Sequence, residues 1–134
     1  TGSTPDAETH DRPEAYRLAG AVSDLLAAEF PDVDRRPIVC GDVWYLNQDH
    51  LRAEPAIAVG PPQSNAFTAF LADKLPSLRV VDDRWIVQGN PDFDPPLASC
   101  WGAAPHFTRT AVEVFTTEYA ALYLESIAER DGGA

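Results

Sequence analysis

The sequence contains little cysteine, little basic charge and no long apolar run. Its 134 residues include two cysteines, too few for a disulfide framework. No run approaches the roughly 18 apolar residues of a membrane span, so no membrane partner is expected. Lysine and arginine total 10 against 21 acidic residues, for a formal net charge of −11. Because binding to a phosphate backbone needs clustered basic side chains, this balance argues against nucleic acid as a partner.

Cysteine is represented by Cys40 and Cys100 alone, each at the end of an apolar run. This placement predicts two small buried side chains. A disulfide in an oxidising compartment and a nucleophilic role are the alternatives. The N-terminal residues lack the charged and then apolar pattern of a signal peptide, so a cytoplasmic protein is expected. The sequence begins with Thr1 and not with methionine, which leaves a removed signal open.

The length fits one domain with a single core. Residues 1–10 are polar, acidic and without period, which predicts a mobile N-terminal arm. Residues 11–130 are expected to form a single α/β domain, and residues 131–134 a flexible tail.

The stretch from Glu54 to Pro76 indicates a strand, a loop and a helix. The apolar run 56–59 has no alternation, as in a strand buried on both faces. Gly60 ends this run, two prolines turn the chain, and Ser64 or Asn65 can cap the helix that follows. Apolar residues then recur at helical spacing until Pro76.

The remaining segments alternate between helical and strand patterns. A first helix is predicted over about Arg12 to Phe30, and a C-terminal helix that starts near Thr110 and ends near Glu129. Residues 38–40 and 43–46 are predicted to be extended, either as one strand with a glycine bulge or as two short pieces. Strands are also predicted at residues 78–81, 85–88 and 97–101, of which the first two read as a hairpin or one bent strand. The pattern predicts a Rossmann-like, three-layer α/β/α domain. It would have a small, mostly parallel sheet of about four to five strands and three main helices.

Two loops of the predicted domain follow a strand, contain a glycine and proline, and lead into a helix. In a parallel sheet both would emerge at the same edge, where backbone N–H groups at helix starts can bind an anion. We therefore expect an anion or nucleotide-like ligand, although the loops match neither the dinucleotide nor the P-loop motif and a purely structural turn is the alternative. The residues expected to contact the ligand are Gly60, Ser64, Asn65, Gly102, His106 and Arg109.

Other polar residues near the predicted strand ends allow different chemistry. Asp42, Asp49, His50 and His106 could form a metal site or an acid/base pair, but their spacing matches no metal motif, and no metal or cofactor is assigned. A cysteine paired with His106, or Ser64 as a nucleophile, is a further alternative without a supporting motif. Aromatic residues gather at strand ends and loops, where they serve either the core or an interface: Trp44, Tyr45, Trp85, Phe93, Trp101 and Phe107.

Three classes of function follow from these patterns. The first is a small binding module for an anionic molecule at the Gly60 and Gly102 loops. The second is an assembly module that uses exposed aromatics and the C-terminal helix for homo-oligomerisation or partner binding. The third is a small hydrolase or transferase that uses Asp42, His50 or His106. Whether the protein is an enzyme is left open by the sequence.

Overall fold

The chain folds around a four-stranded sheet with the order β1-β4-β3-β2, seen in a computed structural model that describes residues 1–132. The β1 and β4 strands run parallel, whereas the β2–β3 and β3–β4 pairs are antiparallel. The strands are β1 (Ala56–Val59), β2 (Ser77–Val81), β3 (Trp85–Gly89) and β4 (Leu97–Gly102).

The prediction of a mostly parallel sheet is wrong, and short connections explain why. Parallel neighbours need a crossover of a dozen or more residues, usually a helix. The β2–β3 connection is a tight turn in which Arg84 N–H donates to Val81 O, with Asp83 at φ 62°. The loop from β3 to β4, residues 90–96, contains no helix either. The four strands agree with the predicted number.

Two long helical stretches and several short helices complete the fold. A π-helical turn (Ala7–Asp11) leads directly into α1, and another (Phe115–Tyr119) joins α5 to α6 in one continuous stretch. The helices are α1 (Arg12–Glu29), α2 (Asp42–Leu46), α3 (Asp49–Arg52), α4 (Ala66–Ala72), α5 (Pro105–Val114) and α6 (Ala120–Gly132). Within residues 1–132 no helix is long and apolar enough to cross a membrane.

The predicted strands at 38–40 and 43–46 are not formed. Residues 33–41 belong to no helix or strand, and we call this segment the strap. Pro37 has no N–H to offer a ladder, which disfavours strand pairing. Gly41, in extended conformation, is the N-cap of α2, so the apolar run after it is helical.

Two of the first ten residues are packed against the rest of the chain. Gly2 and Ala7 are buried, and the first turn of α1 follows without a break. Mobility of residues 1–10 stays a prediction, as does the flexible tail. Residues 131–132 are the end of α6, and residues 133–134 lie outside the described part.

Apolar side chains form two clusters that meet at the sheet. Adjacent β1 residues point to different clusters, as strand geometry requires: Val59 packs with α1, α5 and α6, and Ala58 with α2 and α4. The first cluster is centred on Val87, Phe93, Cys100, Val112 and Phe115, and the second on Tyr45, Phe67, Leu71 and Leu75. The domain is thus mixed α/β, and a complete three-layer arrangement stays a prediction.

Candidate functional site

The structure brings the two glycine loops together. Because β1 and β4 are parallel neighbours, Gly60 and Gly102 lie at the same edge of the sheet, and Gly60 N–H donates to Cys100 O at 3.0 Å. The crevice between the loops is covered by the first turn of α1. Of the residues predicted to contact a ligand, Gly60, Asn65 and Gly102 are buried, whereas His106 and Arg109 are exposed.

Gly60 lies directly beneath a carboxylate of the same chain. Its φ of +116° is a conformation that favours glycine, and a Cβ placed there would be 2.5 Å from Asp11 Oδ2. The space where a bound anion was expected to approach Gly60 is therefore filled by Asp11. This carboxylate is 5% exposed.

The N–H groups at the start of α4 are also taken by side chains. Asn65, 1% exposed, accepts from the Phe67 and Thr68 N–H groups at 3.0 Å and donates to Val59 O. Asp42 Oδ2 accepts from Ala66 N–H at 2.7 Å. Asn65 is thus a helix cap, as the sequence indicated for Ser64 or Asn65. These hydrogen bonds leave few donors at the Gly60 loop for an external anion.

The Gly102 loop is closed by the first turn of α5. Gly102 N–H donates to Thr108 Oγ1 at 3.1 Å. The exposed His106 ring lies 4.0 Å from the ring of Phe107, centroid to centroid. Arg109 Nε lies 3.6 Å from Glu14 Oε2, so this cation already faces a carboxylate.

Asp11 and Glu14 make the crevice acidic. Both belong to the first turn of α1 or its N-cap and are buried, 5% and 7% exposed. Burial raises the pKa of Asp11 to about 6, a shift that the nearby amino group of Thr1 reduces. Carboxylates at this position oppose a second negative charge. Anion binding at the two loops stays a prediction, and the geometry does not favour it.

Replacing Asp11 with asparagine should stabilise the protein at neutral pH. The folded-state pKa of Asp11, about 6, is above the usual 3.8. The contribution of this carboxyl group to the free energy of unfolding is therefore fully present below pH 4 and is lost as the pH rises through 6. Relative to Asp11→Asn, the wild type should lose up to about 3 kcal/mol of unfolding free energy between pH 4 and pH 7. Urea denaturation of both proteins at the two pH values measures this difference.

The control is Asp24→Asn, which changes an exposed carboxylate of the same helix. Its free energy of unfolding should change between pH 4 and pH 7 by the same amount as that of the wild type. Parallel pH dependences of wild type and Asp11→Asn would contradict the burial of a carboxylate at Gly60.

A cavity that the sequence patterns did not predict lies along β1. Its volume is about 740 Å³, and it is bounded by β1, the strap, α1 and the last turns of α6. Its walls are mainly apolar: Leu18, Ala19, Val22, Leu26, Val33, Ile38, Val39, Ile57, Phe67, Leu124 and Ile127. In the sequence only Pro37, which disfavours pairing of the strap, hinted that β1 would lack a neighbour here.

One end of the strap is anchored by an ion-pair cluster. The Arg35 guanidinium donates to both carboxylate oxygens of Asp131 at 2.7 and 2.9 Å and also to Glu54. The hydrogen bonds from Arg35 lower the pKa of Asp131. These contacts connect the strap to the end of α6 and to the loop before β1.

The N-terminal residues anchor the other end. Asp42 N–H donates to Thr1 O at 2.7 Å, Thr1 N donates to Cys40 O at 2.8 Å, and Ser3 Oγ donates to Asp42 Oδ1. Burial raises the pKa of Asp42, but the hydrogen bonds from Ala66, Ser3 and Val43 outweigh this and lower it. Asp42 therefore holds the strap, the N-terminus and α4 together.

The geometry does not assemble a catalytic centre from the predicted residues. His50 and His106 are both exposed, and Asp42 is engaged in structural hydrogen bonds. Both cysteines are free, and burial raises the pKa of each thiol, which disfavours the reactive thiolate. Among residues 1–132 there is no group of three or more His, Cys, Asp or Glu side chains that could hold a metal ion.

Comparison with known proteins yields no match, whether with family models, curated proteins or solved structures. The cavity and the crevice themselves are therefore the features that indicate a function.

Proposed function

We propose that the protein is a small binding module whose ligand occupies the cavity between β1 and the strap. The observation that carries this proposal is a cavity of about 740 Å³ with mainly apolar walls in a domain of this size. Ligand sites in proteins typically have volumes of roughly 300–1,000 Å³ and apolar walls with few polar groups. The ligand is expected to have an apolar body, because the walls offer it mostly aliphatic and aromatic contacts.

The strap supports this proposal because it can control access. Ile38 in its middle is 63% exposed, and within residues 1–132 the strap belongs to no strand ladder, whereas both of its ends are anchored. A segment with few buried contacts opens at a low free-energy cost compared with the core. Anion binding at the glycine loops and assembly through exposed aromatics stay predictions that this cavity does not require.

Filling the cavity from its wall should abolish binding of an apolar probe. Ala19 lies on α1 and lines the cavity, so Ala19→Trp places an indole in the ligand volume. Wild-type protein should bind the uncharged fluorophore N-phenyl-1-naphthylamine, with ~2.7 kcal/mol of stabilisation at a hundredfold excess over Kd. Fluorescence titration and thermal unfolding should show at least a roughly tenfold weaker interaction for Ala19→Trp, equivalent to about 1.4 kcal/mol.

Ala28→Trp is the matched control because Ala28 is exposed on the same helix and lines neither this cavity nor the smaller one beside it. It should bind the probe as the wild type does. If all three proteins respond equally, or if the wild type does not bind the probe, the cavity is not a binding site. Phosphate and nucleotides in the same thermal assay test the anion prediction separately.

A further inference from the structure

We infer that the ligand is an extended peptide that adds to the free edge of β1 as a fifth strand. This inference rests on the proposed function, because the peptide would occupy the same cavity. It follows from three observations: the hydrogen-bonding direction of β1, the position of the cavity along that strand, and the charges at its rim.

The hydrogen bonds of β1 leave one edge unpaired. Ala56 N–H donates to Pro96 O at 3.1 Å and Gly60 N–H to Cys100 O at 3.0 Å, so alternate residues from Ala56 face β4. In a parallel pair the intervening residues point their N–H and C=O groups the other way. These are Ile57 and Val59, and among residues 1–132 only the Val59 carbonyl has a partner there, the Asn65 side chain.

The cavity lies along this unpaired edge. All four residues of β1 line it, and the strap lies on its far side. Within residues 1–132 no backbone hydrogen bond joins the strap to β1. A strand pairs at roughly 4.8 Å from its neighbour, and four residues of strand extend about 13 Å. A peptide of about four residues would therefore lie between β1 and the strap and hydrogen-bond to Ile57 and Val59.

The walls and the rim define the peptide's chemistry. Side chains of an added strand would alternate between the α1 and α6 side, with Val22 and Ile127, and the α2 and α4 side, with Tyr45 and Phe67. Both sides are apolar, so the four residues should be apolar. The rim carries four carboxylates, those of Asp32, Asp34, Glu54 and Asp131, against two cations, Arg35 and Arg36. Arg35 already pairs with Glu54 and Asp131, and an excess of two negative charges is left, which favours basic residues on either side of the four apolar ones.

The first experiment is affinity selection from a synthetic library of capped hexapeptides. Each has four residues drawn from valine, isoleucine, leucine and phenylalanine between two lysines. Selected peptides are titrated against wild type, Ile57→Pro and Ile57→Val. Proline at position 57 removes the N–H that faces the cavity but leaves the hydrogen bonds to β4, whereas valine retains that N–H. We expect at least about tenfold weaker binding for Ile57→Pro and little change for Ile57→Val.

The second experiment does not depend on folding of the proline variant. Selected peptides are N-methylated at alternate amides in two complementary sets, because only one set of amides faces β1. One set should bind wild type at least about tenfold more weakly than the other. Amide hydrogen exchange should show that the peptide protects Ile57 and Val59.

The outcomes separate this inference from the proposed function. In one outcome N-phenyl-1-naphthylamine binds and Ala19→Trp blocks its binding, but every peptide binds wild type and Ile57→Pro equally and the two N-methylated sets bind wild type equally. Strand addition is then overturned, and the apolar cavity remains a binding site. Protection of Ile57 and Val59 without peptide would also overturn strand addition. Such protection would indicate a second copy if it rises with protein concentration, and pairing with the strap if it does not.

Discussion

Replacing Phe115 with alanine should lower the free energy of unfolding by about 3–5 kcal/mol, the range for truncating a buried phenylalanine. Phe115 is 0% exposed and begins the π-helical turn between α5 and α6. Its ring centroid lies 6.1 Å from that of Phe93 and 5.7 Å from that of Tyr123. Truncation therefore removes packing against the 90–96 loop and the C-terminal helix together. Urea denaturation measures the loss.

Leu122→Ala is the control on the same helical stretch, since Leu122 is 52% exposed. Its effect should stay within roughly 0.5 kcal/mol, as for most surface substitutions. A loss below about 1 kcal/mol for Phe115→Ala would contradict the packing of the C-terminal helix on the sheet.

Gly102→Ala should be the most damaging single-methyl addition in the chain's sheet, with a loss of about 3 kcal/mol, the upper end of the usual range for overpacking. A Cβ at this position would lie 2.4 Å from Phe107 Cβ and 2.6 Å from the Phe107 carbonyl carbon. The second contact is with the backbone of α5, which cannot move as a flexible side chain would. The first turn of α5 would have to separate from β4, and the hydrogen bond from Gly102 N–H to Thr108 Oγ1 would be lost.

Gly20→Ala provides the matched control, because a Cβ there would meet nothing within 4 Å and Gly20 lies inside α1. This change should stabilise the protein by about 0.5–1 kcal/mol through helix propensity. Thermal and urea unfolding of the two variants should therefore shift in opposite directions. A Gly102→Ala protein as stable as the wild type would show that α5 does not pack on β4 as closely as described.

Local patterns predicted much of the fold. The apolar spacing after Pro13 and the break at Pro31 predicted a helix over about 12–30, and α1 spans Arg12–Glu29. The unalternated run before Gly60 predicted β1, and the last strand was predicted at 97–101. The direction of the strands was not predicted, because it depends on connection lengths. The hairpin after β2 and the helix-free loop after β3 made most of the sheet antiparallel.

The candidate site was predicted only in part. The two glycine loops converge because β1 and β4 are parallel neighbours. The sequence predicted this convergence only on the condition that the two strands are adjacent and parallel. The strap was expected to pair as a strand, and its failure to pair creates the cavity. No periodicity in one sequence reports an unoccupied strand edge, because the pattern of β1 is that of a strand buried on both faces in either case.

Taken by itself, the sequence determined the features that depend on neighbouring residues: helix periodicity, the cap at Asn65, the apolar β1 run and the acidic composition. Tertiary structure alone decided what fills the space at each loop. Asp11 covers Gly60, and Asp42 takes the Ala66 N–H, although both carboxylates come from segments distant in sequence. A free helix start and a start already bonded to a carboxylate have the same local pattern, and only the path of the whole chain distinguishes them.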